Sequence, residues 1–358
     1  MAKNNNLTDF LTDVANAIRS KKGTTAKINP QDFASEIASI TSSGGDTPTP
    51  DTPTPDIPVI GDGKTYLYIK IAEKGRMEVP LYFSQTVANG VTIDWGDGSA
   101  TQTLGGTGKI NTTHTYAEVG EYTISLDPSI GCTLSLGHAT SSYCIMGSTG
   151  NTGKVYCNML QAVEIGKNVT SIGDYAFNYC YSLASVVIPQ GVTSIGNAAF
   201  NYCYSLASVV IPNSVTSIGN QAFYSCYSLA SIEIPQGVTS IVNQAFYGCY
   251  SLASVVIPQG VTSIGSYAFN CCYSLASVVI PNSVTSIGNQ AFYSCYGMAY
   301  YDFTQCTSVP TLGGTSVFSN IPSDCKIVVP DSLYDTWIAA TNWSTHASKI
   351  VKASEFNG

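Results

Sequence analysis

The sequence predicts a mainly β protein in which a solenoid of about six 23-residue turns follows a β-sandwich and a short N-terminal α-hairpin. Two observations carry this prediction. A unit of the form Val-Thr-Ser-Ile-Gly-x-x-Ala-Phe-x-x-Cys-Tyr-Ser-Leu-Ala-Ser-Val-Val-Ile-Pro-x-x occurs six times in succession, and the segments before it alternate apolar and polar residues as β-strands do. Because one unit cannot bury its own apolar face, a fixed period of this length indicates turns stacked on copies of themselves.

Residues 1–41 are predicted to form a helical module that anchors or oligomerises the chain. Apolar residues spaced i, i+3, i+4, i+7 and i+11 form one stripe on the first helix: Leu7, Phe10, Leu11, Val14 and Ile18. Asn29-Pro30 is typical of a helix start, so a second helix is expected there. Two short helices bury little surface, so residues 7–40 are expected to contact other virion or surface proteins, or further copies in a homo-oligomer.

Residues 42–61 form a linker rich in proline and threonine, and its proline spacing favours an extended polyproline II spacer. Residues 62–130 then have strand patterns, with alternation at 66–71 and again at 122–126. The segment 131–159 is interpreted as a connection that also caps the N-terminal end of the solenoid.

Three motifs follow one another within residues 62–130. They are Val91-Thr-Ile-Asp-Trp-Gly-Asp-Gly-Ser99, His114-Thr-Tyr116 and Gly120-Glu-Tyr-Thr-Ile124. Together they resemble the PKD family, an immunoglobulin-like β-sandwich common in extracellular and adhesive proteins. The resemblance implies a spacer or interaction domain without catalysis.

The elements Leu-x-x-Val-x-Ile-Pro and Ile-Gly-x-x-Ala-Phe-x-x-Cys recur between residues 160 and 298. They resemble the BspA-like leucine-rich repeats, also called the LRR-5 type. The resemblance implies a leucine-rich-repeat solenoid used for adhesion or receptor binding. Residues 299–358 are a degenerate tail, interpreted as the C-terminal cap that keeps the last turn from exposing its apolar face.

Two columns of the repeat are predicted to fill the solenoid interior. The phenylalanines are Phe177, Phe200, Phe223, Phe246, Phe269 and Phe292. The cysteines are Cys180, Cys203, Cys226, Cys249, Cys272 and Cys295. Equivalent residues of a solenoid face the same way, so these cysteines, with Cys157 one period earlier, are interpreted as small buried residues with free thiols rather than a disulfide framework.

The differences between repeats predict which positions face water. The column of Val187 contains Glu233 and is predicted to be exposed, whereas the column of Val186 contains only β-branched residues and is predicted to be buried. The column of Gly196 contains Val242, and a β-branched residue at positive φ is an outlier. That column is therefore expected to be extended, with glycine present for space.

Composition argues against several classes of function. Charged residues make up 11% of the chain and the net charge is −8, so no nucleic-acid partner, which needs clustered Lys and Arg, is expected. No apolar run reaches the ~20 residues of a membrane span, and no secretory signal follows the polar start. No catalytic residue, cofactor or metal site is predicted.

The candidate chemical groups have simpler structural interpretations. His114, His138 and His346 lie far apart in the sequence, and His114 belongs to a sandwich motif. Asp94 and Asp97 suggest a calcium pair, but Asp97 lies in Gly-Asp-Gly, which is typical of a turn. An enzyme is therefore not expected.

Tyrosines provide the strongest functional signal. One column directly follows the cysteine: Tyr181, Tyr204, Tyr227, Tyr250, Tyr273 and Tyr296. Others lie in the variable pair of positions before the cysteine: Tyr179, Tyr202, Tyr224, Tyr247 and Tyr293. Antibody paratopes use the same Tyr, Ser, Asn and Gly residues, because Tyr gives large rigid contacts at low entropy cost. Two compatible interpretations stay open, a ladder that covers the core edge and a stripe that binds a ligand.

The predicted function is non-enzymatic recognition of a cell-surface protein or glycan through the solenoid. A phage virion fibre or receptor-binding protein, located on the phage particle, is favoured for two reasons. Leu7 to Ile18 followed by Ile28-Asn-Pro-Gln-Asp-Phe33 resembles the attachment modules of gut-phage structural proteins, and virion proteins need no secretory signal. The alternatives are a bacterial cell-surface adhesin and a structural virion scaffold with no host ligand.

Overall fold

Short β-strands form most of the regular structure. The structure is a computed structural model that describes residues 61–74, 77–137, 143–148 and 157–356. The helical module predicted for residues 1–41, the linker predicted for residues 42–61 and His138 lie outside the described residues, apart from Gly61. Within the described part of the chain, no helix is both long and apolar enough to cross a membrane.

The first strands form antiparallel sheets. Their bounds are β1 Thr65–Ile71, β2 Glu78–Gln85, β3 Val91–Asp94, β4 Gln102–Thr103, β5 Gly108–Thr115, β6 Gly120–Pro128, β7 Leu134–Leu136, β8 Tyr143–Cys144 and β9 Gly147–Ser148. Strands β1, β6, β3 and β4 pair in that order in one sheet, and β7, β2 and β5 in another. Apolar side chains of both sheets, such as Leu67 and Phe83, belong to the same buried cluster.

Most of the following turns contribute one short strand to each of two parallel sets, and the strand pairing is interrupted between β14 and β16, between β15 and β17 and between β18 and β20. The first set is β10 Leu160–Glu164, β12 Ser185–Val187, β14 Ser208–Val210, β16 Ser231–Glu233, β18 Ser254–Val256, β20 Ser277–Val279, β22 Tyr300–Asp302, β24 Lys326–Val329 and β25 Ile350–Lys352. The second set is β11 Val169–Ile172, β13 Ser194–Ile195, β15 Ser217–Ile218, β17 Ser240–Ile241, β19 Ser263–Ile264, β21 Ser286–Ile287 and β23 Thr311–Leu312. Equivalent repeat positions pair with each other, as Val186 does with Val209.

The solenoid has about eight turns, so the predicted number of six is wrong. The additional turns come from the degenerate tail, where β22 and β24 continue the parallel pairing of β20. Tyr301 and Ile327 take the place of the buried valine and are fully buried. Any large apolar residue fills that position, so the fold continues where the sequence motif does not.

Helical segments lie after the last turns. They are α1 Tyr334–Ala339 and three 3-10 helices, Asp331–Leu333, Trp343–Lys349 and Ala353–Glu355. Trp337 and Trp343 are fully buried and pack edge-on against Phe303. The indole Nε1 of Trp343 also donates to the carbonyl of Pro310 at 2.7 Å. These rings cover the apolar end that a solenoid otherwise exposes.

At the other end, both solenoid sheets continue into the antiparallel sheets. Strand β10 pairs in parallel with β12 on one side and antiparallel with β1 on the other. Likewise, β11 pairs in parallel with β7, which pairs antiparallel with β2. The first turn therefore presents no open edge, and edges of this kind are sites of unwanted strand pairing.

The solvent and core sides of the first solenoid sheet agree with the prediction. Val186 is 5% exposed, whereas Val187 and Val210 are 42% and 79% exposed. Glu233 lies in the same exposed column. The alternation of a pleated strand therefore decides which residue of each Val-Val pair joins the core.

The glycine column is also as predicted. Gly196 and Gly219 do not have positive φ, and a Cβ on either would lie 2.5 Å from a backbone nitrogen of the preceding turn. Val242 breaks this rule, and the second sheet is interrupted at that step, between β15 and β17. Within residues 157–356, the bond from the Thr239 amide to the Thr216 carbonyl is absent there, although equivalent bonds join the neighbouring turns.

Candidate functional site: tyrosine ladders on the solenoid

The backbone before each cysteine has an unusual conformation. The residue that precedes each cysteine has positive φ, with values of 57° to 70°: Tyr179, Tyr202, Ser225, Gly248, Cys271 and Ser294. Such a conformation is rare for residues other than Gly, Asn and Asp. Its amide donates across to the next turn, as Tyr179 does to the carbonyl of Asn201 at 2.8 Å. Bonds between turns therefore hold this strained position.

The cysteine that follows points inward and makes a specific bond. All six repeat cysteines are fully buried with free thiols. The Sγ of Cys226 lies 3.2 Å from the carbonyl oxygen of Phe200 and donates to it, and four other cysteines make the same bond to the preceding turn. Cysteine is therefore more than a small apolar residue here, because its thiol is a second donor to a carbonyl that also accepts from a backbone amide, as the Phe200 carbonyl does from Cys203 at 3.2 Å.

Burial also controls the chemistry of these thiols. It raises the pKa of Cys249 to about 12 and raises the pKa of Cys226 well above its ordinary value. A thiol is a nucleophile only as the thiolate, so the buried column is chemically inert. Cys271, which precedes Cys272, is the exception in exposure and is half-buried.

One disulfide departs from the sequence prediction. Cys157 is bonded to Cys144 of β8 and is not a free thiol of the buried column. The reason is its position, because Cys157 precedes the first intact repeat and meets a second cysteine from the connecting segment. The repeat period alone gave no sign of this partner.

The tyrosine after each cysteine belongs to a continuous outer ladder. Tyr181, Tyr204, Tyr227, Tyr250, Tyr273 and Tyr296 stack in sequence, and we call this set the outer ladder. Centroid separations between successive rings are 4.7, 4.4, 4.4, 4.7 and 5.1 Å, with interplanar angles of 4° to 18°. Exposure reaches 37% at Tyr250 and Tyr273 and 57% at Tyr296.

The second group of tyrosines forms shorter stacks beside the outer ladder. Tyr179 stacks on Tyr202 at 5.0 Å, and Tyr224 stacks on Tyr247 at 4.6 Å. Tyr179 also meets Tyr181 of the outer ladder edge-on at 5.9 Å. The two groups therefore form one aromatic surface.

This second group alternates between two sequence positions. In some turns the pair reads Asn-Tyr, as at Asn178-Tyr179, and in others Tyr-Ser, as at Tyr224-Ser225. In both cases the small polar residue is buried and the tyrosine is only partly buried. The variable positions thus exchange roles while each of these turns still presents a ring.

The aromatic surface is electrically neutral. Partial burial raises the pKa of Tyr224 to about 12, and burial beside neighbouring tyrosines raises the pKa of Tyr204 above its ordinary value. Between residues 160 and 298 the only charged residues are Glu164, Lys167, Asp174 and Glu233. The surface therefore presents rings and hydroxyl groups rather than charges.

The acidic pair of the first sheets has a structural role. Asp97 accepts from the backbone amide of Ser99 at 3.0 Å and lies 2.7 Å from Nε2 of His114. The Ser99 bonds and the His114 contact lower the pKa of Asp97 to about 2. Asp94 accepts from the amide of Gly96 at 2.9 Å. Both carboxylates shape the turn, and the described residues contain no group of three possible metal ligands.

The remaining histidines do not join these groups. The ring of His114 stacks on Trp95 at 4.8 Å, whereas His346 is buried beside Phe318 at the far end of the chain. Burial lowers the pKa of His346. His138 lies outside the described residues.

Similar proteins of known structure are bacterial leucine-rich repeat proteins. A T. pallidum leucine-rich repeat protein is 32% identical, with a TM-score of 0.34, over 49% of this chain and 86% of its own. A Bacteroides ovatus leucine-rich repeat protein is 22% identical, with a TM-score of 0.34, over 60% of this chain and 61% of its own. A leucine-rich cell surface protein of Faecalibacterium prausnitzii is 26% identical, with a TM-score of 0.29, over 54% of this chain and 64% of its own.

The chain thus spans less than two thirds of the second and third of these proteins. No curated protein matches the sequence. The family description "BspA type Leucine rich repeat region" matches six copies, over residues 155–259 and 216–336, which together make up more than half of the chain. The chain therefore belongs to the BspA type leucine-rich repeat family.

Proposed function

We propose that this chain is a non-enzymatic recognition protein that binds a cell-surface protein or glycan through its tyrosine surface. The observation that carries the proposal is the outer ladder, which keeps partly exposed rings in line along a nearly uncharged solenoid. Free side chains lose rotamer entropy when a ligand binds, but rings already held between two neighbours lose less. Membership of the BspA type leucine-rich repeat family supports the same proposal.

The other parts of the chain have supporting roles in this proposal. Residues 62–130 act as a PKD-like, immunoglobulin-like spacer, supported by the motif order and by the antiparallel sheets. For residues 1–41 the proposed role is to attach the chain to a particle or surface, or to join copies into a homo-oligomer, and the apolar stripe in their sequence supports it. Size measurement of the full chain by light scattering tests the homo-oligomer, and a monomer contradicts it.

Two settings are compatible with recognition. The resemblance of residues 7–33 to gut-phage attachment modules favours a virion fibre or receptor-binding protein, whereas the BspA type repeat family favours a bacterial adhesin. An antibody against residues 157–356 distinguishes them. Labelling of purified phage particles supports the virion proposal, and labelling of intact bacteria that produce the protein supports the adhesin.

The ladder itself is tested by binding to cells. Fluorescently labelled full-length chain is incubated with intact bacteria, and bound label is measured by flow cytometry. The double variant Tyr227→Ala/Tyr250→Ala is expected to lose binding while still unfolding in one cooperative transition, at a lower denaturant concentration than the wild type. Val210→Ser, at a residue that is 79% exposed in another column, is the matched control and is expected to bind normally.

Two results contradict the proposal. Full binding by the double alanine variant excludes the ladder as the contact surface. Absence of binding to every strain tested, with a correctly folded chain, favours the alternative of a structural scaffold with no host ligand. Where the wild-type chain binds, the variant Tyr227→Phe/Tyr250→Phe separates ring stacking from hydroxyl contacts, because it removes only the phenol oxygens.

A further inference from the structure

The outer ladder ends at Tyr296 in a way that leaves its last ring accessible. The final pair, Tyr273 and Tyr296, has the largest separation and tilt in the ladder, 5.1 Å and 18°. In the next turn Phe318 stacks on Phe292, but the residue four positions later is Pro322 rather than tyrosine. Tyr296 is 57% exposed, more than any other ring of the ladder.

An open cleft of about 640 Å³ lies at this end of the ladder. Tyr296 lines it together with one loop, Asn320 to Asp324. Three residues of that loop, Asn320, Ser323 and Asp324, are polar and exposed. The cleft places one aromatic ring beside a few polar groups, and polar groups of this kind fix the orientation of a bound ligand.

The loop is held in place by hydrogen bonds from outside the cleft. Nζ of Lys349 donates to the carbonyl oxygens of Pro322 at 2.7 Å and Ser323 at 3.0 Å. Nδ2 of Asn320 donates to the hydroxyl of Tyr293 at 2.8 Å. A site that is already ordered loses little entropy when a ligand binds.

We propose that this cleft binds a neutral pyranose ring of a surface glycan, a specification that rests on the proposed recognition function. One face of a pyranose carries C–H groups that pack on an aromatic ring, which Tyr296 offers. Its hydroxyl groups require acceptors and donors, which Asp324, Ser323 and Asn320 supply. The sugar therefore extends the ladder by one ring in the place where the chain has no further tyrosine.

The same residues argue against other ligands. A phosphate or another anion would lie close to the carboxylate of Asp324, which repels it, while the ammonium of Lys349 already donates to the carbonyl oxygens of Pro322 and Ser323. An aromatic peptide side chain would cover Asp324 and Ser323 without forming hydrogen bonds, and burying polar groups in that way is unfavourable. A neutral polyhydroxyl ring satisfies both the aromatic ring and the polar loop.

The test is a titration of the full-length chain with methyl glycosides of glucose, galactose, mannose and N-acetylglucosamine. Binding is measured at each concentration by saturation-transfer NMR. At least one is expected to bind saturably, with a dissociation constant on the order of 1 mM for a single ring. Tyr296→Ala and Asp324→Asn are each expected to raise the dissociation constant about tenfold or more. A tenfold change is a large fraction of the binding free energy of a ligand that binds with a millimolar dissociation constant. Tyr296→Phe and Tyr181→Ala, the latter at the other end of the ladder, are expected to change it less than about threefold.

Three results overturn the proposal. They are the absence of saturable binding by every glycoside, unchanged binding by both Tyr296→Ala and Asp324→Asn, and equal competition by N-acetylphenylalaninamide. If cells are bound through Tyr227 and Tyr250 but no glycoside binds, the cleft proposal fails and the proposed function stands. If glycosides bind at Tyr296 while the Tyr227/Tyr250 variant still binds cells, the cleft is supported and the ladder surface is not.

Discussion

The same repeat builds two aromatic columns, one inside the solenoid and one outside. The inner phenylalanines stack at 5.1 to 5.5 Å and are 0–1% exposed. The outer ladder stacks at 4.4 to 5.1 Å, with exposure of up to 57%. Stacking is therefore imposed by the period of the backbone in both places. What differs is burial, so the inner column stabilises the fold and the outer column is free to bind.

The largest effect is expected from cutting the inner column. Phe223→Ala removes a fully buried ring, and should lower the free energy of unfolding by about 3–5 kcal/mol. The matched change outside, Tyr227→Ala, should cost roughly 1–2 kcal/mol, because that ring is only half-buried. Urea denaturation of both variants measures the difference. Equal losses would contradict the division between a stabilising inner column and a free outer one.

The cysteine bond next to the inner column gives a smaller effect. Cys226→Ala removes the thiol donor to the Phe200 carbonyl, which keeps its bond from the amide of Cys203, and should cost about 0.5–1.5 kcal/mol. Cys226→Ser keeps a donor at the same place and should lose less. The comparison is made by thermal unfolding under reducing conditions. A serine variant as unstable as the alanine variant would mean that the bond contributes nothing beyond packing.

Val242 sharpens the comparison, because the pairing of β15 with β17 is interrupted at its turn while both aromatic columns stay stacked there, at 5.5 Å inside and 4.4 Å outside. Val242→Gly should restore the bond from the Thr239 amide to the Thr216 carbonyl that neighbouring turns make. Hydrogen exchange of the Thr239 amide should then slow by about tenfold or more, as for a newly bonded amide. Gly265→Ala, made in parallel, should accelerate exchange at its own step. Unchanged exchange in Val242→Gly would exclude valine as the cause of the interruption.

The smallest effect is expected from thiol chemistry on the native protein. The pKa of Cys249 is raised to about 12, so its thiolate forms only as the pH approaches that value and is absent near pH 8. Iodoacetamide at pH 8 should therefore leave all six repeat cysteines unmodified, while half-buried Cys271 reacts. Mass spectrometry of peptides locates the label. Rapid labelling of Cys226 or Cys249 below the unfolding transition would show that the interior is open.

Much of the architecture follows from sequence because the repeat gives many copies of one physical test. Glu233 in the column of Val187 marks the solvent side, and Val242 in the glycine column excludes positive φ there. The additional turns cannot be predicted from the repeat, because Tyr301 and Phe318 occupy buried repeat positions although the sequence around them does not match the repeat motif. Neither the Cys144–Cys157 bond nor the left-handed backbone at Tyr179 has a local sequence signal.

The candidate site can be predicted only in part, because only the residues that belong to the repeat form a pattern in the sequence. Which tyrosines form columns is visible in the period, and the structure brings Tyr181 to Tyr296 into one stack. The cleft beside Tyr296 was missed, because it depends on Pro322 interrupting the column and on Lys349 holding the loop from a distant segment. Contacts between remote, unrepeated residues leave no pattern in a single sequence.

The continuous pairing of β10 with β1 and of β11 with β7 has a consequence for how such proteins change length. Both ends of the stack are closed by unique, non-repeating segments, whereas the middle consists of interchangeable units. Gain or loss of one whole unit leaves both closures intact and alters the length of the tyrosine surface in steps of ~4.8 Å. The length of the solenoid can therefore change during evolution by insertion or deletion of whole repeats, while the segments at its two ends stay the same.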